Sequence, residues 1–277
     1  MANQQGIRKR IKSVNSTKKI TGAMEMIANA KLFKYRASLH ANNDYSKKLE
    51  EIVNQIFANI DPELEYGFLE KRKTDKKVYF VFTSDLGLCG GYNINIYKYI
   101  KAHVSKDDEI YMIGEKEYGH VSNDHYNVVN IKEGSDGLNY DYLAKIIKSY
   151  IVKYQNNEIG GINVIYTKYI NTVTFETDCK QLLPIENKDI KKTKEVDFDP
   201  GVNESLDFLI PYYITNTFYN CYLQTKTSEY GSRRFAMENA TDNANEIVDK
   251  LTIEYNQARQ ASITQEITEI IGGSSAL

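Results

Sequence analysis

Three groups of residues in this 277-residue sequence have types and spacings that could do chemistry. The first is the run Ser84-Asp-Leu-Gly-Leu-Cys-Gly-Gly-Tyr-Asn93, which follows a β-prone stretch and precedes a helix-forming one. That context suits a phosphate cradle, because a helix N-terminus offers free N–H groups to anions. However, no Gly-Lys-Ser/Thr follows, and the G-x-G-x-x-G spacing is absent. The loop therefore reads as a tight structural turn, and no cofactor is expected. The second group is the histidines, His40, His103, His120 and His125. They are scattered, and the five-residue step from His120 to His125 is poor spacing for a structural metal. The third comprises Arg233-Arg234 and Arg259-Gln260 on one long helix-forming segment, where a surrounding protein could read them. No nucleophile–base pair or carboxylate pair stands out, since such groups assemble in space rather than in sequence.

The elements that must carry these residues are unusual. Ser232 to Ile271 contains neither Gly nor Pro. As a helix it would extend about 60 Å at ~1.5 Å per residue. The other end of the chain, residues 3–59, also reads as one helix, with Ile7, Ile11, Val14, Thr21, Ala28, Leu32 and Tyr35 near helical spacing. A second stripe runs through Ile20, Met24 and Ile27. Gly22 lies inside this helix at a cost of about 1 kcal/mol relative to Ala, which tertiary contacts are expected to override. Asp61-Pro62 ends the pattern.

Between the two long helices the period changes. Val78–Thr83, Glu109–Ile113, Tyr126–Ile131, Gly161–Tyr169 and Val173–Leu183 read as strands, the last two paired. Ile94–Val104 and Tyr140–Gln155 read as helices. Alternating strands and helices imply a largely parallel sheet. The C-terminal helix is expected to start near Ser205 or Pro211. Along it, Met237, Ala240, Ala244, Ile247, Leu251, Ala258 and Ala261 take three- and four-residue steps, with Glu254 as an interruption. That is a coiled-coil seam, and the N-terminal helix is the long partner within the chain. The fold class is thus α/β: a long antiparallel coiled coil of N- and C-terminal helices plus a central Rossmann-like α/β domain. The segments are 1–60, 61–204 and 205–277.

Composition narrows the function. Net charge is only −2, but residues 1–40 hold nine Lys or Arg against Glu25 alone. The stretch 232–277 holds four basic and seven acidic residues. Basic residues interleave with the apolar stripes and no stacking aromatics accompany them, which argues for acidic protein surfaces rather than nucleic acid as partner. The three cysteines, Cys89, Cys179 and Cys221, are far apart and suit a reducing compartment. No apolar run follows the basic N-terminus and none reaches the ~20 residues of a membrane span. Any membrane association is expected through a partner, without direct insertion.

Three segments then carry a resemblance. They are Ile7–Leu32 (IRKRIKSVNSTKKITGAMEMIANAKL), Thr83–Asn93 (TSDLGLCGGYN), and Ala236–Ala244 (AMENATDNA) continuing through Tyr255–Gly273 (YNQARQASITQEITEIIGG). Together they resemble the gamma subunits of F-type ATP synthases over the whole chain. The resemblance implies a non-catalytic rotor shaft inside a hexamer of alpha and beta subunits, with the α/β domain beside an epsilon subunit and a membrane rotor ring. The complex would lie on the cytoplasmic side of the cell membrane, peripherally held. It further implies that Met24 meets an acidic lever of a beta subunit. Arg233, Gln260 and Thr264 match positions that touch a beta-subunit loop, with Arg259 beside them. Val196 and Asp199 fall where an aromatic and a Glu of the family help seat the ring. Leu86, Gly22 and the run Glu229–Phe235 also depart from the family pattern. Two alternatives stand beside this reading: a gamma-like shaft not coupled to an ion-translocating ring and driving another mechanical process, and a nucleotide-binding α/β enzyme with helical arms.

Overall fold

A computed structural model describes residues 2–59, 67–69, 72–130, 134–185 and 201–274. Helix α1 runs Ala2–Asn59, followed by β1 (Lys77–Phe82), α2 (Tyr92–His103), β2 (Glu109–Ile113), α3 (Tyr118–Asn123), β3 (Asn127–Val128), α4 (Tyr140–Gln155), β4 (Gly161–Tyr169), β5 (Phe175–Leu183) and α5 (Val202–Ser274). The chain divides into two compact units: residues 1–29 with 233–277, and residues 30–232.

In the larger unit five strands form one sheet in the order β3-β2-β1-β4-β5. The pairs β1–β2, β1–β4 and β2–β3 are parallel, and β4–β5 is antiparallel. The expected pairing of the last two strands is present, and they form the antiparallel edge of the otherwise parallel sheet. β1 shows why its sequence is uninterruptedly β-prone. Val78, Phe80 and Phe82 are buried on one face against Tyr150, Tyr154, Phe218 and Tyr222. Tyr79 and Val81 are buried on the other against Ile96, Ile100 and Met112. A strand covered on both faces has no polar side to alternate with.

The first of these two cores is built from α4, from the Leu39–Phe57 portion of α1 and from the Leu206–Leu223 portion of α5. Aromatic rings lock it: Phe80 meets Phe218 and Tyr150 edge-on, each at 5.0 Å between centroids. α5 starts at Val202, earlier than Pro211 would suggest. Leu206, Ile210 and Ile214 are fully buried around the proline, so burial of about 1.5–3 kcal/mol per large apolar side chain offsets the one hydrogen bond that Pro211 removes. Gly114 closes the sheet end: at φ +124°, a Cβ there would sit 2.4 Å from the Thr83 carbonyl oxygen. The short α3 was not anticipated; six residues with a left-handed N-cap at Glu117 (φ 65°) give no helical period to detect.

Within residues 30–232 the facing portions of α1 and α5 are antiparallel. Asn43 pairs with Asn220, Ser46 with Asn216, and Tyr35 stacks on Tyr230 at 5.5 Å. As numbers rise on one helix they fall on the other. In the smaller unit the same sense appears: the Thr21 hydroxyl meets that of Thr241 at 2.8 Å, and further toward the N-terminus Gly6, Ile7 and Arg10 line one cavity with Leu251 and Ala258. The seam of α5 there is not the one its apolar residues suggest. Met237, Ala244 and Leu251 are buried and Ala240 and Ala258 half-buried, as expected, but Ile247 is 41% exposed and Ala261 is exposed. The intervening steps fall one residue later, on Thr241, Val248, Tyr255 and Ser262, all half-buried. The steps become four, three, four, three without a break, and Glu254 interrupts nothing because it lies outside the seam. Thr and Tyr fit there because a hydroxyl can stay hydrogen-bonded while the rest of the side chain packs.

Candidate functional site

The residues implied for shaft contacts all lie in the unit formed by residues 1–29 and 233–277. They form two patches. Met24 is half-buried, one turn past Thr21 on α1. The antiparallel sense of the Thr21–Thr241 contact sets it level with Glu238, which pairs with Arg234 at 3.3 Å. Arg233 is 6% exposed rather than solvated, so it is held rather than free to swing. The second patch, Arg259, Gln260 and Thr264, is exposed and starts about 39 Å further along the axis at ~1.5 Å per residue. The Thr264 hydroxyl donates to the Gln260 carbonyl at 3.0 Å, leaving the Gln260 amide and the Arg259 guanidinium facing outward. Arg233 and Arg259 are therefore not brought together. Val196 and Asp199 lie outside the described residues.

Around these polar groups the unit exposes large apolar side chains. Ile20, Met26 and Ile27 on α1 are 61%, 69% and 60% exposed. On α5, Ile253, Ile263, Ile267 and Ile270 are exposed as well. Of the second stripe, Ile20 and Ile27 face away from the seam, whereas Met24 between them is half-buried.

The Gly-rich loop is a tight turn tied to its surroundings. Ser84 N–H and Oγ–H both donate to Asn93 Oδ1, at 3.2 and 3.0 Å, and Asn93 Nδ2 approaches Cys89 Sγ at 3.3 Å. Gly90 takes φ +58°, and the neighbouring Cys89 carbonyl accepts from Ser232 Oγ at 2.7 Å. Asn93 and Ser84 thus spend their polar atoms on each other and on the loop and strand ends around them. The histidines remain scattered: His103 stacks on Tyr99 at 4.1 Å, and His120 pairs with Glu117 at 2.7 Å. Among the described residues no group of three or more His, Cys, Asp or Glu side chains could hold a metal.

A polar cluster that sequence reasoning missed sits in the larger unit. Lys226 and Glu229, 1% and 2% exposed, form an ion pair at 2.8 Å on α5. Lys226 Nζ also donates to Ser135 Oγ at 2.8 Å, and Tyr222 donates to the Ser135 carbonyl at 3.1 Å. Asp85 Oδ1 accepts from the Ser135 amide and hydroxyl, and Oδ2 from the Asp136 amide. Asp136 in turn accepts from Lys31 at 2.5 Å and Tyr230 at 2.8 Å. Burial alone would raise the Asp136 carboxyl. The hydrogen bonds from Lys31 and Tyr230, with the charges of Lys226 and Lys31, outweigh it and hold the group at about 2. The faint signal in the sequence was a Lys and a Glu one turn apart, the only charged residues between Asp207 and Arg233.

Comparisons place the chain. The sequence model of the family described as "ATP synthase" matches residues 3–277. An "ATP synthase gamma chain" of Clostridium novyi is 40% identical, covering 98% of this chain and 96% of that protein. One of Clostridium kluyveri is 36% identical over 98% and 97%. A chain in a structure of the Euglena gracilis mitochondrial ATP synthase (OSCP/F1/c-ring) superposes with a TM-score of 0.69 at 16% identity, covering 99% of this chain and 94% of that one. Among the described residues no helix is long and apolar enough to cross a membrane. With the two long terminal helices and the sheet between them already described, these matches show that the chain belongs to the ATP synthase gamma chain family, the central stalk of F-type ATP synthases.

Proposed function

We propose that this stalk chain is itself non-catalytic and turns inside a hexamer of alternating alpha and beta subunits. Residues 1–60 and 205–277 act as the shaft, and residues 61–204 as the segment that meets the epsilon subunit and a membrane rotor ring on the cytoplasmic side. The observation that carries the reading is the apolar surface of Ile20, Ile27, Ile253, Ile263 and Ile267. Exposed apolar side chains in such number call for a surrounding protein. Around them, Met24 would meet the acidic lever of a beta subunit, while Gln260 and Thr264, with Arg259 alongside, would meet a beta-subunit loop, and Arg233, about 39 Å away along α5, would meet a beta subunit at a second level. The chemistry suits a contact made and broken each turn. Partly exposed ion pairs are individually worth only ~0–1 kcal/mol, and an Arg fork and an amide add direction.

Purified alone, the chain should hydrolyse no ATP; mixed with alpha and beta subunits, it should yield a hydrolysing complex. Failure to co-assemble would end the proposal. Removing α5 from Arg259 onward should lower coupling torque, and full torque in the truncated complex would remove Arg259, Gln260 and Thr264 from the contact. Val196 and Asp199 remain proposed ring contacts. The relatives are ATP synthase chains, which favours the ring-coupled stalk over a ring-free shaft.

A further inference from the structure

We propose that the loop at residues 134–137 is a torsional clamp that makes the sheet turn with the helices. The inference rests on the rotor reading above. Three separate pieces of chain converge on two loop residues. From the loop after β1, the Asp85 carboxylate grips the Ser135 and Asp136 amides at 2.7 and 2.8 Å. From α5, Lys226 reaches Ser135 Oγ at 2.8 Å and Tyr230 reaches Asp136 at 2.8 Å. From α1, Lys31 reaches Asp136 at 2.5 Å and Tyr35 reaches it at 3.3 Å. Lys31 Nζ also donates to the Tyr230 hydroxyl at 3.0 Å. Each helix is thereby tied to the same loop, and the loop to the sheet.

Why charges should be buried there is the informative point. A buried ion pair is weak evidence for stability, since well-packed apolar replacements are often as stable or more so. What the hydrophobic effect lacks is direction, whereas charge-assisted hydrogen bonds fix angle as well as distance. A helix that delivers torque must not rotate in its seat. Lys226, 1% exposed and held at once by Glu229 and Ser135, supplies that fixity. Lys226, Glu229, Asp85 and Asp136 are thus positioning residues for torque transfer.

The test uses the complex with alpha and beta subunits, with a bead attached through Lys106→Cys on the sheet unit. The variants are Lys226→Met/Glu229→Leu and, separately, Asp85→Asn. Hydrolysis rate, melting temperature and the angular spread of the bead at its pauses are measured together. The apolar pair should keep hydrolysis and melting temperature, while angular variance rises about two-fold, in line with charge-assisted bonds being about twice as strong as neutral ones. Asp85→Asn should widen the spread in the same way, and keeps the proposal testable should the apolar pair fail to fold. Wild-type angular variance in both variants would overturn the clamp, as would a rise for the apolar pair that merely tracks a lost melting temperature. Absence of rotation in the parent complex would instead overturn the rotor reading on which the clamp rests.

Discussion

The hydroxyls of Thr21 and Thr241, 220 residues apart in sequence, meet at 2.8 Å inside the helix pair. Each also lies within reach of a carbonyl of its own helix, Thr21 of Lys18 at 3.1 Å and Thr241 of Met237 at 2.9 Å, so that one hydroxyl donates across the pair and the other donates to its own helix and accepts from its partner. The contact fixes the register of the two ends, because sliding either helix by one residue would break it. Replacing either Thr by Val should destabilise the helix pair by about 1 kcal/mol, leaving one half-buried hydroxyl without its cross-partner. Replacing both should cost less than the two single changes together, and a urea-denaturation double-mutant cycle measures the difference. Strict additivity would show that the two side chains do not interact.

Two glycines should respond oppositely to alanine. At Gly114, with φ +124° and the Thr83 carbonyl in the way, Gly114→Ala should cost about 2–3 kcal/mol through backbone strain and displacement of β1. At Gly22 nothing lies within 4 Å of the added Cβ, and α1 continues through it without a break. Gly22→Ala should stabilise by about 0.5–1 kcal/mol, by helix propensity and reduced unfolded-state freedom. Midpoints of chemical denaturation at constant slope read both.

Much of this architecture was legible in the sequence. Glu109–Ile113, Tyr140–Gln155 and Gly161–Tyr169 fall where they were expected, because strand and helix periods are local properties. The seam of α5 was only half legible. Its apolar residues at Ile247 and Ala261 are decoys, and the true steps at Thr241 and Tyr255 are set by what lies across the pair rather than by hydropathy. The Lys226–Ser135 contact was illegible for a plainer reason: its partners are 91 residues apart. Arg233 reads in the sequence as a residue open to a surrounding protein, yet it is buried, an environment only tertiary structure supplies.

Asp136 gives a pH signature. Its carboxyl is held at about 2, below the ordinary 3.8, so its contribution is present above pH ~4 and fades as pH falls toward ~2. With the side chain 40% exposed, the contribution at neutral pH is discounted to about 1 kcal/mol. Asp136→Asn should therefore be less stable than the parent by that amount between pH 5 and 7, to the extent of about 1 kcal/mol. The gap should close between pH ~4 and ~2. A gap that persisted unchanged at pH ~2 would place the effect elsewhere than in the carboxylate charge.

The cysteines should be inert while the chain is folded. Burial pushes Cys221 up to about 12. Burial and then the Asp178 charge push Cys179 to about 11, and Cys89 is buried. Since the thiolate is the reactive form, iodoacetamide at pH ~8 should modify none of the three at an appreciable rate in the native chain, and all three after denaturation. Mass spectrometry of timed aliquots decides it; rapid native labelling of Cys221 would contradict the burial of α5 against the sheet.

The most direct measurement is rotation. Alpha and beta subunits assembled around this chain are fixed to a surface, and a bead on the sheet unit is followed as ATP is added. The account predicts one-directional stepping that stops when ATP is exhausted. A complex that hydrolyses ATP while this chain stands still would contradict it.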